Sequence, residues 1–200
     1  YKRQSLERAA FLHIVDVLEQ RRNPDETQRI EHMLFEGQSV LVQVIKDPIN
    51  TKGARLSTQI SLAGRFLVHL PQEDHIGISQ RIDDDAERSS LRERLNNLLP
   101  ENACHGYIIR TNAENASDDQ LQSDINYLTK VWEHIQKQAK IQPPETLLYQ
   151  DLPLSLRVLR DMFSLDTHKI LVDSTENYRR MTQFAEQYVQ GALGRIELFK

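Results

Sequence analysis

Lys46-Asp47-Pro48-Ile49-Asn50-Thr51-Lys52-Gly53-Ala54-Arg55-Leu56-Ser57-Thr58-Gln59-Ile60-Ser61-Leu62-Ala63-Gly64-Arg65-Phe66-Leu67-Val68 is the most informative stretch of the chain, and a later segment, Tyr107-Ile108-Ile109-Arg110-Thr111, answers it. Lys52-Gly53-Ala54-Arg55 reads as a turn that presents two cations beside a backbone with no side chain in the way. Glycine permits close approach there, and the cations suit a phosphate. Ser61-Leu62-Ala63-Gly64 offers small residues and a second permissive backbone. Arg110-Thr111 ends an apolar run with a guanidinium fork and a hydroxyl, both donors matched to phosphate oxygens. Taken singly, a basic turn is ordinarily a solvated loop, and a strand ending in Arg-Thr is ordinarily an exposed edge.

Working outward, 200 residues with 39% apolar content can build one or two ordinary cores. A net charge of −4 excludes a protein that grips nucleic acid by bulk positive charge, so any such contact must come from local basic spots. The single cysteine, Cys104, excludes an internal disulfide framework and a multi-cysteine zinc site. No apolar run approaches the roughly 20 residues that span a bilayer, and the opening residues do not read as a signal peptide. These features predict a soluble, cytoplasmic protein.

Ser39–Lys46 is rich in β-branched residues between Gly37 and Pro48 and predicts a strand. Arg21 to Arg29 reads as a polar loop. Arg65–Pro71, Ile76–Ile82 and Tyr107–Arg110 read as further strands. Asp85 is expected to cap a helix carrying Leu91, Leu95, Leu98 and Leu99. Ser117-x-x-Gln120 is a capping box, followed by Leu121, Ile125, Leu128, Trp132, Ile135 and Ala139 at helical spacing, a core stripe. Asp151 is expected to cap a helix with Pro153 in its first turn. Ile170-Leu171-Val172 reads as a buried strand. Ser174 caps a helix using Tyr178, Met181, Phe184, Ala185 and Tyr188, and Arg195–Phe199 is a final strand. Such alternation is an α/β layer.

The acidic groups give no catalytic set. Asp83-Asp84-Asp85 could attract magnesium, but consecutive acids before a helix complement its macrodipole. Asp173 ends a strand without a sequence partner. The histidines, including His69, His75 and His105, do not pair with Cys104 at metal spacing.

In this order the segments resemble the ribonuclease E/G family of bacterial endoribonucleases. The resemblance is carried by Ala9-Ala10-Phe11-Leu12-His13, Phe35-Glu36-Gly37-Gln38, Thr51 to Leu56, Gly77-Ile78-Ser79-Gln80-Arg81-Ile82, Val131-Trp132 and Leu156-Arg157-Val158-Leu159-Arg160-Asp161. Lys46-Asp47-Pro48 and Ser79-Gln80-Arg81 are closer to its G branch.

The resemblance implies an α+β multidomain chain. Residues 1–58 would form a five-stranded OB-type RNA-binding barrel, residues 59–150 a 5′-sensor domain, and residues 151–200 the start of a ribonuclease-H-like subdomain. Tyr1-Lys2 resembles the first barrel strand and Leu6 to Phe11 the third, which implies that the strands between are missing. Arg110 and Thr111 match residues holding the 5′ monophosphate of RNA; Gly64 matches a backbone contact to it, and Val68 a residue packing on the first nucleotide. A triphosphate would be too bulky. Arg81 would add positive potential. Phe11 matches an aromatic stacking on single-stranded RNA, and Lys52 a cation on its backbone.

The resemblance further implies a homodimeric parent enzyme that cleaves A/U-rich single-stranded RNA in rRNA processing and mRNA decay. Its Mg2+ ligands would lie beyond Lys200, so this chain would bind no metal and be inactive alone. The alternatives are a stand-alone, non-catalytic RNA-binding module and a scaffold with a vestigial pocket.

Overall fold

The computed structural model describes residues 9–17, 29–100, 106–164 and 166–199. The expected opening strand at Tyr1-Lys2, most of the Arg21–Arg29 loop, Cys104 and His105 lie outside the described residues. The chain divides into two compact units, Tyr1–Leu148 and Tyr149–Lys200.

The first unit holds two sheets. In one, β1 (Phe11–Leu12), β2 (Gln43–Lys46) and β3 (Arg55–Ser57) lie in the order β1-β3-β2, with β1 parallel and β2 antiparallel to β3. A single helical turn, α1 (Ile30–Met33), lies between β1 and β2 in the chain. The strand expected over Ser39–Lys46 therefore begins only at Gln43. Its partner β3 is three residues long, so the earlier residues have no ladder to join. Among the described residues this sheet has three strands, where a five-stranded barrel is expected.

The basic turn is reassigned. Ala54 is fully buried and Arg55 belongs to β3, where Nε and Nη2 donate to Oδ2 and Oδ1 of Asp16 at 2.7 and 3.0 Å. That double hydrogen bond, with the carboxylate charge, raises the guanidinium pKa above its ordinary value. Gly53 is crowded by its own chain: a Cβ there would sit 1.8 Å from the Ala9 carbonyl oxygen.

In the second sheet, β4 (Leu62–Ala63), β5 (Leu67–Leu70), β6 (Ile76–Ile78) and β7 (Gly106–Ile109) lie in the order β4-β5-β7-β6. Pairs β4/β5 and β5/β7 are antiparallel, and β6/β7 is parallel. The strand expected over Ile76–Ile82 stops at Ile78, because Ile82 N–H turns back to the Ser79 carbonyl. Two helices, α2 (Asp85–Leu98) and α3 (Asp118–Ile141), pack on one another, and α3 lies on β4 and β5.

The cap of α2 is Asp84 rather than Asp85. Asp84 is extended and its carboxylate accepts from Ala86 and Glu87 N–H, the amides that a helix start leaves orphaned. The capping box at Ser117 and Gln120 forms as expected. Leu121, Ile125, Leu128, Trp132 and Ile135 are buried, whereas Ala139 is exposed beyond the end of the sheet-facing stripe.

In the second unit, α4 (Leu154–Met162) precedes a parallel pair, β8 (Ile170–Val172) and β9 (Ile196–Leu198), joined through α5 (Thr175–Tyr188). Pro153, not Asp151, is the N-cap of α4. Asp151 spends its carboxylate on Leu152 N–H and on Arg157. Ser174 caps α5, whose Met181, Phe184 and Ala185 are buried. Strand β8 is not buried throughout: Leu171 is 56% exposed, because a two-stranded sheet covered by helix on one face leaves alternate residues outward. Among the described residues no helix is long and apolar enough to cross a membrane.

Candidate functional site

The hairpin β4–β5 turns through Gly64-Arg65-Phe66-Leu67. Neither Arg65 nor Phe66 has positive φ, so this is not a primed turn that matches a two-residue hairpin unaided. Gly64 N–H donates to the Leu67 carbonyl at 2.8 Å, as strand pairing requires. The two remaining groups go elsewhere. Leu67 N–H donates to Asp124 on α3 at 2.8 Å, and the Gly64 carbonyl accepts from Arg110 Nη1. Two side chains from distant elements thus replace the backbone bond that commonly closes a four-residue turn.

Asp124 does more than meet Leu67. Its Oδ2 also accepts from Phe66 N–H at 2.8 Å and its Oδ1 from Arg65 N–H at 2.9 Å. Three successive amides therefore cradle one carboxylate, the arrangement that backbone uses to bind anions. Asp124 is buried, and a Cβ on Gly64 would lie 2.5 and 2.6 Å from its two oxygens. Gly64 is glycine because this carboxylate needs the space. On the neighbouring strands, Tyr107 stacks on His69 with ring centroids 4.8 Å apart. Burial pushes the Tyr107 phenol pKa up; a hydrogen bond with Thr129 acts the other way, and the Asp124 charge adds to the rise.

Arg110 is extended (φ −89°, ψ 161°) and continues β7 by one residue, its N–H donating to the Phe66 carbonyl at 2.9 Å. Its side chain crosses to the turn, with Nη1 on the Gly64 carbonyl and 3.5 Å from that of Arg65. Among the described residues Nε and Nη2 meet no acceptor. Thr111 opens a single 3-10 turn, Thr111–Ala113, and is half-buried. Val68 pairs with Ala63 and Ile108 and is half-buried, on the opposite face of β5 from buried Leu67 and His69. Arg65 lies with its guanidinium 4.7 Å from the Phe66 ring centroid.

Two of the residues expected at a phosphate site, Gly64 and Arg110, therefore meet; Thr111 follows Arg110 in the chain, and Val68 lies one residue beyond the turn. The Gly64 N–H is engaged with Leu67, so its direct contribution to Arg110 is the carbonyl. Phe11 and Lys52 belong to the other sheet. Phe11 is 47% exposed, and Lys52 is exposed in a turn closed by paired Ile49 and Lys52 backbone bonds. The Ala9–Gly53 contact sets that turn beside the start of β1. Arg81 is exposed. Asp83 and Asp173 are exposed, and among the described residues no three His, Cys, Asp or Glu side chains gather as a metal site.

Asp124 is the residue that sequence reasoning passed over. A signal existed: at three residues from Leu121 and four from Leu128, it sits on the buried stripe of α3, where an acid requires partners.

The arrangement is that of a mixed α+β chain in which a guanidinium at the end of β7 meets the turn of an antiparallel hairpin and is followed by a hydroxyl, donors of a kind suited to an anion. A profile of the Ribonuclease E/G family matches residues 61–200, which include the hairpin, Arg110 and Thr111. Ribonuclease G of Escherichia coli (strain K12) is 36% identical over 199 residues, covering 96% of this chain and 40% of its own length. Ribonuclease G of Haemophilus influenzae is 33% identical over 201 residues, covering 97% and 40%. Ribonuclease E of Nostoc sp. is 36% identical over 185 residues, covering 92% of this chain and 26% of its own. The chain belongs to the Ribonuclease E/G family. It spans 40% of the length of the ribonuclease G relatives.

Proposed function

We propose that this chain is the RNA-binding and 5′-end-sensing part of a ribonuclease G-like endoribonuclease specific for single strands and acting in rRNA processing and mRNA decay. The observation that carries the reading is the meeting of Arg110 with the Gly64 carbonyl, which draws together two residues far apart in sequence. A guanidinium held by a neutral carbonyl has no counter-charge there, and its Nε and Nη2 donors, which meet no acceptor among the described residues, would serve a ligand. A 5′-terminal monophosphate, close to doubly charged near neutral pH, is the group that such a fork and the Thr111 hydroxyl match. A hydroxyl end offers neither the charge nor the acceptors. Val68 would then pack on the first nucleotide, while Phe11 stacks on a base and Lys52 meets the backbone of the strand.

In this reading residues 1–58 act as an OB-type RNA-binding domain, 59–150 as the 5′ sensor, and 151–200 as the start of a ribonuclease-H-like subdomain. The chain supplies affinity and 5′-end discrimination in the cytoplasm. Magnesium-dependent cleavage and homodimer formation belong to the remainder of a longer enzyme. Binding titrations with one oligonucleotide bearing a 5′ monophosphate, a hydroxyl or a triphosphate test this. The monophosphate should bind tightest, and equal affinity for all three would overturn the sensor assignment. Magnesium-dependent cleavage by the purified chain would overturn the expectation that it does not cut alone.

A further inference from the structure

We propose that Asp124 is the positioning residue of the terminal-phosphate pocket: its carboxylate permanently fills the amide cradle of residues 65–67 and so aims the Gly64 carbonyl at Arg110. The inference rests on the 5′-sensing reading above and assigns a role within that site. Four observations carry it. The turn lacks the positive φ values that would let it close a two-residue hairpin unaided. The amides of Arg65, Phe66 and Leu67 all end on this one carboxylate, at 2.8 to 2.9 Å. Leu67 N–H is thereby drawn away from the Gly64 carbonyl, which is left to accept from Arg110. Finally, the absence of a Cβ on Gly64 is what gives the carboxylate its room.

The consequence concerns where the ligand goes. A cradle of three amides would itself suit a phosphate, but here an internal anion occupies it. The RNA phosphate is therefore taken by the outer edge of Arg110 and by Thr111, with Asp124 holding the turn from below. Asparagine cannot substitute. Its amide nitrogen would face at least one of the three N–H donors whichever way the group is flipped.

The test uses the full chain and oligonucleotides ending in a 5′ monophosphate or hydroxyl. Asp124→Ala should reduce the monophosphate preference by about fivefold or more while changing hydroxyl-end affinity less than about twofold, since lost positioning, not lost folding, is the cause. Formate at tens of millimolar, compared with chloride at equal ionic strength, should refill the emptied cradle and restore much of the preference. Arg110→Ala should lose the preference and not respond to formate. If Asp124→Ala keeps the preference while Arg110→Ala loses it, the Asp124 role alone falls. If the unsubstituted chain has no preference, the sensor reading falls and takes this inference with it.

Should Asp124→Ala fail to fold, amide hydrogen exchange on the unsubstituted chain decides. Arg65, Phe66 and Leu67 N–H should be protected equally with and without monophosphorylated RNA. Loss of that protection when the ligand binds would mean that phosphate displaces the carboxylate, and the proposal would be overturned.

Discussion

Arg55 opens a strand just after Gly53 and Arg110 follows the end of a strand with its side chain on Gly64; both are cations that a phosphate could use, yet their surroundings separate them. Arg55 gives its fork to Asp16 in a two-point ion pair, and Asp16 is itself buried, with its carbonyl accepting from Thr58 N–H and Ser57 Oγ. The Arg55 charge is thus countered at close range, and its Nε–Nη2 edge is taken up by Asp16. Arg110 instead rests on two carbonyls, which neutralise nothing, and among the described residues its Nε and Nη2 meet no acceptor. The glycines divide in the same way. Gly53 is crowded by backbone, the Ala9 carbonyl, whereas Gly64 is crowded by a side chain, the Asp124 carboxylate. An arginine held by a carboxylate has its charge countered within the fold; one held by carbonyls does not, and this difference underlies the ligand-binding role proposed for Arg110.

The harshest way to probe this contrast is at the glycines. Gly53→Ala would drive a Cβ to 1.8 Å from a backbone oxygen that cannot swing aside. It should cost about 3 kcal/mol or more of stability, read as a lower urea midpoint, because overpacking against backbone has no cheap relaxation. Affinity for RNA should fall whatever its 5′ end. Survival of Gly53→Ala with unchanged stability would mean that β1 does not cross there.

The arginines come next. Arg110→Ala should cut the preference for monophosphorylated over hydroxyl-ended RNA by about tenfold or more, since hydrogen bonds to a charged group are worth roughly 1.5–3 kcal/mol. Its melting temperature should hardly move. Arg55→Ala should do the reverse, lowering the melting temperature and leaving the ratio of affinities intact. If both variants lose the preference alike, the distinction between structural and ligand-facing arginine collapses. Thr111→Val preserves shape and removes one donor, so a loss of about threefold in the same ratio is expected, in line with a single net hydrogen bond.

These contrasts mark what the sequence could disclose. The apolar stripe Leu121, Ile125, Leu128, Trp132 and Ile135 was legible because helical periodicity repeats within one segment. The capping box at Ser117 and Gln120 was legible because both partners are local. The pairing of Arg55 with Asp16 was not, since periodicity carries no record of which distant carboxylate a cation will meet. Asp84 and Pro153 displaced the expected caps because a cap is decided by backbone geometry to within one residue, and neighbouring acids look alike in sequence. The convergence of Arg110 on Gly64 was accessible only through family resemblance, and the occupant of the cradle, Asp124, only through coordinates.

Lys52 offers the mildest test, and it bears on the first sheet alone. Its backbone closes the turn with Ile49 through bonds of 2.9 and 3.1 Å, so the fold uses the main chain and leaves the ammonium exposed. Lys52→Ala should therefore leave stability unchanged. An exposed lysine on a strand path acts as a point charge that releases one counterion when it meets a phosphate. The slope of log affinity against log salt should accordingly flatten by about 0.7, the single-strand value per phosphate, with affinity falling equally for monophosphate, hydroxyl and triphosphate ends. Equal loss is the informative part. Under the proposed roles Arg110 would read the end of the strand and Lys52 only its charge, so a loss confined to monophosphorylated RNA would put both cations in one pocket and dissolve the separation between the two sheets.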